Sequence, residues 1–254
     1  MKVVISPYFK DNESRLRKII SDFQKAGKTI YGGSRNTIKI FPLEGITLNV
    51  KAFKVPHFIN KIAYRHIRKS KAERSYLYAN KLLEKGIGTP RPVAYFENKT
   101  PLTFLDSYYI CEHLQCDFTF RDLVDNQDRV PQWESLLRQF TQFTYAMHEA
   151  GVEFLDHSPG NTLIQVDDAS AKFYLVDLNR MKFHDSMDID TRVKNFAKLT
   201  PRKDMVAIMG DEYARLSGLN STEVIAKMWA ATQEFQHRFH RKKAIKKKIK
   251  FWKK

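Results

Sequence analysis

Asp156, Asn161 and Asp177 are the residues of this 254-residue chain whose types and spacing point to chemistry. They lie in the stretches MHEAGVEFLDHSPGNTLI (147–164) and YLVD (174–177). The first stretch reads as the end of a helix at Gly151, then a loop presenting Asp156, then Asn161 just before a strand. The second reads as a short strand that delivers Asp177. Phosphoryl transfer asks for such parts: an acidic group to orient an attacking hydroxyl and take its proton, and oxygen ligands that hold Mg²⁺ against phosphates. The five-residue step from Asp156 to Asn161 matches a D-x-x-x-x-N catalytic loop, and a later Asp on a strand matches a metal-binding Asp.

Such a site also needs a cation on the nucleotide phosphates. Val50-Lys51-Ala52-Phe53 falls on a predicted strand, where that lysine belongs. Alternation puts Lys51 and Phe53 on one face and Lys54 on the other, so only one of the two lysines points inward. Glu73, on the helix that follows, could pair with Lys51 or lie exposed. Gly32 and Gly33 could form a short phosphate loop, although a bare glycine pair is a weak signal. Taken singly, each feature has a plainer reading. Asp, Asn, Pro and Gly are ordinary turn residues, and Lys51 could be a solvated strand lysine. The constellation, in this order along the chain, is what favours phosphoryl transfer. His148 ends an amphipathic helix and suits a structural hydrogen bond better than a base; His157, beside Asp156, fits either role.

The elements that must position these residues follow from periodicity. Leu16, Ile19, Ile20 and Phe23 recur at helical spacing, with Gly27 as the expected C-cap. Three strands are predicted at 28–31, 37–41 and 46–53, with turns at 32–36 and 42–45. A helical pattern runs from His57 to Lys85 and stops at Gly86-Ile87-Gly88-Thr89-Pro90. Strands at 93–96 and 108–111 follow, then a long amphipathic helix from Trp133 through Met147, strands at 162–166 and 173–176, and helices from Lys203 onward. The expected fold is an α+β chain of two lobes, a β-rich lobe over 1–112 and a mainly helical one over 113–254.

Formal net charge is +16, which implies an anionic partner. Ten Lys or Arg and no acid lie between Arg238 and Lys254. Ile245, Ile249 and Trp252 recur there at i, i+4 and i+7. A basic helix with such a stripe suits the headgroup region of an anionic membrane. A solvated tail, or one that binds nucleic acid nonspecifically, is the alternative, and no specific nucleic acid is expected. Two cysteines, Cys111 and Cys116, make no disulfide framework and suit a reducing compartment. No apolar run reaches the length of a membrane span, and the N-terminus does not read as a signal peptide.

Taken together, KAFKVPHFINKIAYRHIRKSKAERSYLYANKLLEKGIGTPRPVAYFE, FLDHSPGNTLI and YLVDLNRMKF resemble the lipopolysaccharide kinases, a kinase-fold group that phosphorylates Kdo or heptose of the inner core. The resemblance spans roughly residues 30–185. It implies a protein-kinase-like fold, ATP and Mg²⁺, Asp156 as catalytic base, Asn161 and Asp177 as metal ligands, Lys51 on the phosphates, and adenine contact near Glu112 to Leu114. It also implies a Kdo–lipid A acceptor and a cytoplasmic enzyme peripheral on the inner membrane; no obligate protein partner is inferred. The chain departs from protein kinases in several places. Phe154 stands two residues before the catalytic Asp, Asp177-Leu178-Asn179 replaces D-F-G, and neither G-x-G-x-x-G nor A-P-E occurs. These losses disfavour the rival reading of an atypical protein serine/threonine kinase, because that apparatus organises peptide docking. A pseudokinase, the other rival, would be expected to lack a metal ligand or the phosphate lysine.

Overall fold

The computed structural model describes residues 1–33, 36–53, 69–100, 104–167 and 170–251. The chain divides into two compact units. The first comprises Met1–Gln115 with Asp177–Arg180, and the second Cys116–Val176 with Met181–Lys254.

The first unit is built on one antiparallel sheet. Its strands are β1 (Lys2–Ile5), β2 (Lys28–Gly32), β3 (Asn36–Leu43), β4 (Ile46–Phe53), β5 (Pro92–Lys99) and β6 (Phe104–Glu112), in the order β1-β5-β6-β4-β3-β2. The β3–β4 hairpin closes Leu43 on Ile46. Its two turn residues, Glu44 and Gly45, both have positive φ (46° and 86°), the geometry whose twist matches paired strands. Pro42, expected in that turn, instead sits within β3 opposite Thr47.

Helix α1 (Glu13–Ser21) covers one face of the sheet. Its Leu16 and Ile20, with Phe23 beyond its end, pack on Phe41, Leu48, Val50, Phe96 and Ile110. Burying an apolar side chain of this size stabilises by about 1.5–3 kcal/mol. The helix is shorter than its periodicity suggested. It ends at Ser21, with Asp22 rather than Gly27 at the C-cap. Gly27 lies in the turn before β2 at φ 82°, where an added Cβ would fall 2.4 Å from the Phe41 ring.

Helix α2 (Lys71–Glu84) packs against β5 and β6, with Ala72, Tyr76, Ala79 and Leu82 buried. It starts where Ser70 Oγ accepts the Glu73 N–H at 3.0 Å, one of the orphan donors of a first helical turn. The first half of the helical pattern read from His57, and Lys54 with it, lies outside the described residues.

In the second unit, α3 (Phe120–Asp125), α4 (Trp133–Glu149), α5 (Ile189–Phe196), α6 (Lys203–Ser217) and α7 (Ser221–Phe251) accompany three small strand pairings. Strands β9 (Thr162–Asp167) and β10 (Ser170–Leu175) pair as a hairpin, and β7 (Phe118–Thr119) joins β9. Strand β8 (Val152–Phe154) pairs with β11 (Met181–Phe183). The core joins Leu137 and Phe140 of α4 to Phe120, Phe173, Phe196, Met209 and Tyr213. Helix α7 runs on through the basic segment to Phe251. Trp252 lies outside the described residues. No described helix is long and apolar enough to cross a membrane.

Candidate active site

The candidate residues divide between the two units. In the first, β4 alternation sends Leu48 and Val50 into the α1 core and so turns Lys51 to the opposite face. Lys51 is opposite Tyr109 in the β4–β6 register. Its ammonium pairs with Asp177 Oδ1 at 2.6 Å, with the lysine side chain 12% and the aspartate 34% exposed. Asn179 Nδ2 donates to the same Oδ1 at 2.7 Å. Asp177 has φ 60°, a left-handed conformation that costs a non-glycine residue about 1–2 kcal/mol. Strain held in place by two side-chain contacts is the pattern of a residue presented for function.

Glu73 is elsewhere occupied. Its Oε1 accepts from Lys2 Nζ at 3.0 Å and lies 3.5 Å from Tyr95 Oη, while Lys51 pairs with Asp177. The pairing of Glu73 with Lys51 weighed from the sequence is therefore not the one formed in this structure. Helical periodicity gives the face on which Glu73 lies, but not which cation reaches that face. Gly32 ends β2, and the Gly33 N–H donates to Asn36 O at 3.0 Å, closing the strand pair. Ser34 and Arg35 are outside the described residues. Glu112 ends β6, with its N–H on Arg91 O at 2.9 Å and its carboxylate 3.5 Å from Arg91 Nη1; Leu114 follows the strand. Both cysteines are free, and burial pushes the Cys111 thiol up to about 12.

In the second unit, Gly151 makes the exit from α4 possible. It has φ 71°, and a Cβ there would sit 2.0 Å from the His184 carbonyl oxygen. The Gly151 carbonyl accepts the His184 N–H at 2.8 Å, so this close approach of two backbones requires glycine. After β8 the chain turns, and the His157 N–H donates to Phe154 O at 3.0 Å. Asn161 Nδ2 donates to Asp156 O at 2.8 Å, which ties the two candidate residues together and leaves the Asn161 side-chain oxygen as the donor suited to a hard cation. The Asn161 carbonyl accepts the N–H of Val176, the residue before Asp177. The Asp156 side chain is 28% exposed, and Lys198 Nζ lies 4.0 Å from its Oδ1. The first unit thus offers the Asp177 carboxylate and the second, separately, the Asn161 amide oxygen. Each is a hard oxygen donor of the kind Mg²⁺ takes.

Both histidines near the loop are buried. His148 Nδ1 is 3.0 Å from Tyr213 Oη and Nε2 is 3.2 Å from Asn195 Oδ1, the structural role its sequence position suggested. His157 packs against Phe140, Phe154 and Phe196. Neither of its ring nitrogens has a hydrogen-bond partner among the described residues.

The fold is protein-kinase-like. A solved structure described as WaaP in complex with acyl carrier protein resembles this chain with a TM-score of 0.63 at 18% sequence identity, covering 95% of this chain and 99% of that one. A search of curated proteins by sequence finds no match. The Lipopolysaccharide kinase (Kdo/WaaP) family model matches residues 55–243. The chain belongs to the lipopolysaccharide kinase family, and so to the phosphotransferases.

The buried histidines set an acid limit. Burial pushes His148 down to about 4. Burial, with His148 as a neighbour, pushes His157 down to about 3. Both are neutral when folded, whereas an unfolded chain takes up protons near pH 6.5. Their contribution to stability is therefore complete above about pH 6.5 and is lost as pH falls toward the folded values. His157→Phe, which keeps a ring among the aromatics, should lower the loss of unfolding free energy between pH 7 and 4.5 by about 2–3 kcal/mol. Urea unfolding across that range reads it; parallel pH profiles for variant and wild type would refute the assignment.

Proposed function

We propose that this chain transfers the γ-phosphoryl group of Mg²⁺-bound ATP to a sugar hydroxyl, of Kdo or heptose, in the lipopolysaccharide inner core or a Kdo–lipid A precursor. The observation that carries this reading is the contact of Lys51 with Asp177. It joins the lysine of β4 and the aspartate two residues beyond the end of β10, the two that the motif pairs with the phosphates and the metal, 126 positions apart in sequence. Family membership supplies the acceptor class.

In this reading Asp156 accepts the proton of the acceptor hydroxyl as its oxygen bonds to the γ-phosphorus and the bond to ADP breaks. Asn161 and Asp177 would hold Mg²⁺, which would neutralise charge on the phosphates. Lys51 binds the nucleotide phosphates, the Gly32-Gly33 turn lies over them, and Glu112 to Leu114 contact the adenine. Glu73 organises the β1 edge through Lys2 and acts on Lys51 only indirectly. The absence of an A-P-E element from the sequence favours a glycolipid over a protein acceptor. A pseudokinase is disfavoured because the sequence keeps Lys51, Asn161 and Asp177. The relative's complex with acyl carrier protein is the observation that favours adding a protein partner, where the sequence alone implied none.

Asp156→Asn is expected to fold normally and to lose turnover by about 10²–10⁴-fold. Mass spectrometry of a Kdo–lipid A acceptor incubated with ATP and each protein should show one added phosphate for wild type alone. Near-normal transfer by the variant would remove Asp156 from its role, and transfer to protein but not to glycolipid by the wild type would overturn the acceptor class.

The work site in this reading is the cytoplasmic face of the inner membrane, reached through the basic end of α7. Phe239 and Ile245 are exposed there among lysines and arginines. Each basic residue near an anionic surface contributes about 1 kcal/mol. Deleting residues 238–254 should abolish co-sedimentation with anionic vesicles, and raising the salt should weaken binding of the full chain. Equal sedimentation of both proteins would show that the tail is not the anchor.

A further inference from the structure

Two residues outside every motif, Asn195 in α5 and Lys198 just beyond its end, reach the segment that leads into Asp156. Asn195 Nδ2 donates to Phe154 O at 2.9 Å. Lys198 Nζ donates to Leu155 O. Two consecutive carbonyls, those immediately before Asp156, are thus held by side chains three residues apart, the spacing that puts neighbours on one side of a helical turn. Lys198 Nζ also stands 4.0 Å from Asp156 Oδ1, so the same cation touches the backbone of the loop and approaches its carboxylate.

Asn195 is itself fixed from behind. Because its Nδ2 donates to Phe154, its Oδ1 must be the acceptor facing His148. His148 Nε2 therefore carries the proton given to Asn195, and Nδ1 accepts from the Tyr213 hydroxyl. This tautomer is the one that satisfies every member. His148 and Tyr213 are almost fully buried and Asn195 nearly so. A buried polar chain in which each group is paired specifies one arrangement, and leaving any group unpaired is costly. The chain runs from α6 through α4 and α5 into β8, and its last bond lands two residues before Asp156.

We propose that Asn195 and Lys198 are positioning residues for phosphoryl transfer. Together they hold the backbone of residues 154–156 so that the Asp156 carboxylate is presented in one geometry, with His148 and Tyr213 setting the orientation of Asn195. The catalytic part of this inference rests on Asp156 acting as the base. A misplacement of about 1 Å at a reacting group costs about 10²-fold in rate, so residues that never touch substrate can govern turnover.

The test compares Lys198→Met, which keeps the aliphatic stem, Lys198→Arg, which keeps a cationic donor, and Asn195→Ser. Amide hydrogen exchange over residues 155–161 reads the clamp directly, and kcat and the KM for ATP read its consequence. Lys198→Met and Asn195→Ser should exchange faster in that segment while α6 amides stay protected. Both should lose roughly 10–100-fold in kcat with little change in the KM for ATP, and Lys198→Arg should recover most of the loss. If Asn195→Ser does not fold, Lys198→Met decides alone. Unchanged exchange at 155–161 in Lys198→Met overturns the clamp whatever the acceptor is. Faster exchange with unchanged kcat overturns the positioning role while leaving the function standing. A wild type that transfers no phosphate overturns the function and the positioning role with it, whereas the exchange data still decide the clamp.

Discussion

An ammonium group and a carboxylate held together on the first unit are the interaction on which the rest of the candidate site depends. Lys51 and Asp177 sit 2.6 Å apart, with the lysine largely shielded from water. A cation in that setting is costly unless an anion accompanies it. The pair therefore constrains everything near it: β4 must keep its register so that Lys51 leaves the α1 core, and Asp177 must accept a left-handed backbone. Four residues, Asp177–Arg180, belong to the first unit although the strands on either side of them, β10 and β11, belong to the second. Lys51 and Asn179 both contact Asp177 Oδ1, and Leu178 is buried, so this short return is held by charge, amide and apolar contacts together. In the proposed function a metal ion and phosphates would take over part of this pairing, so that a resting ion pair and a nucleotide site share residues.

The second unit solves a different problem with neutral groups. Its segment from Gly151 to Asn161 has only the three-residue strand β8 and one 3-10 turn, so further backbone and side-chain hydrogen bonds hold it. Gly151 permits the tight approach to His184, Asn161 caps Asp156, and the buried histidines contribute packing and polar contacts without carrying charge. Desolvation lets them do this, since a charged imidazole in that core would be unstable. The price is paid in acid, where the unfolded chain gains protons that the folded one refuses.

Much of this was legible in the sequence where local rules decide it. Strand β4 begins and ends at the residues its pattern indicated, because its hairpin turn and its alternation are local. The D-x-x-x-x-N spacing was visible for the same reason. What escaped was long-range. Strand β1 is only four residues and pairs with β5, some ninety positions away, and without β1 there was no Lys2 to claim Glu73. Strands β8 and β11 are three residues each and have no periodicity to read. Asn195 and Lys198 carry no motif, because their partners are carbonyls more than forty residues upstream and a backbone carbonyl leaves no trace in residue identity. His157 fitted two roles in the sequence, whereas burial among three aromatic rings gives it one.

Nucleotide affinity measured by titration calorimetry, with and without Mg²⁺, tests the central pairing most directly. If Lys51 and Asp177 divide phosphate and metal between them, wild type binds ATP more tightly with Mg²⁺ present. Asp177→Ala then loses that Mg²⁺-dependent gain, whereas Lys51→Ala weakens binding in both conditions. An Asp177→Ala protein that keeps the full Mg²⁺-dependent gain, or a Lys51→Ala protein that binds ATP as wild type does, would contradict the account.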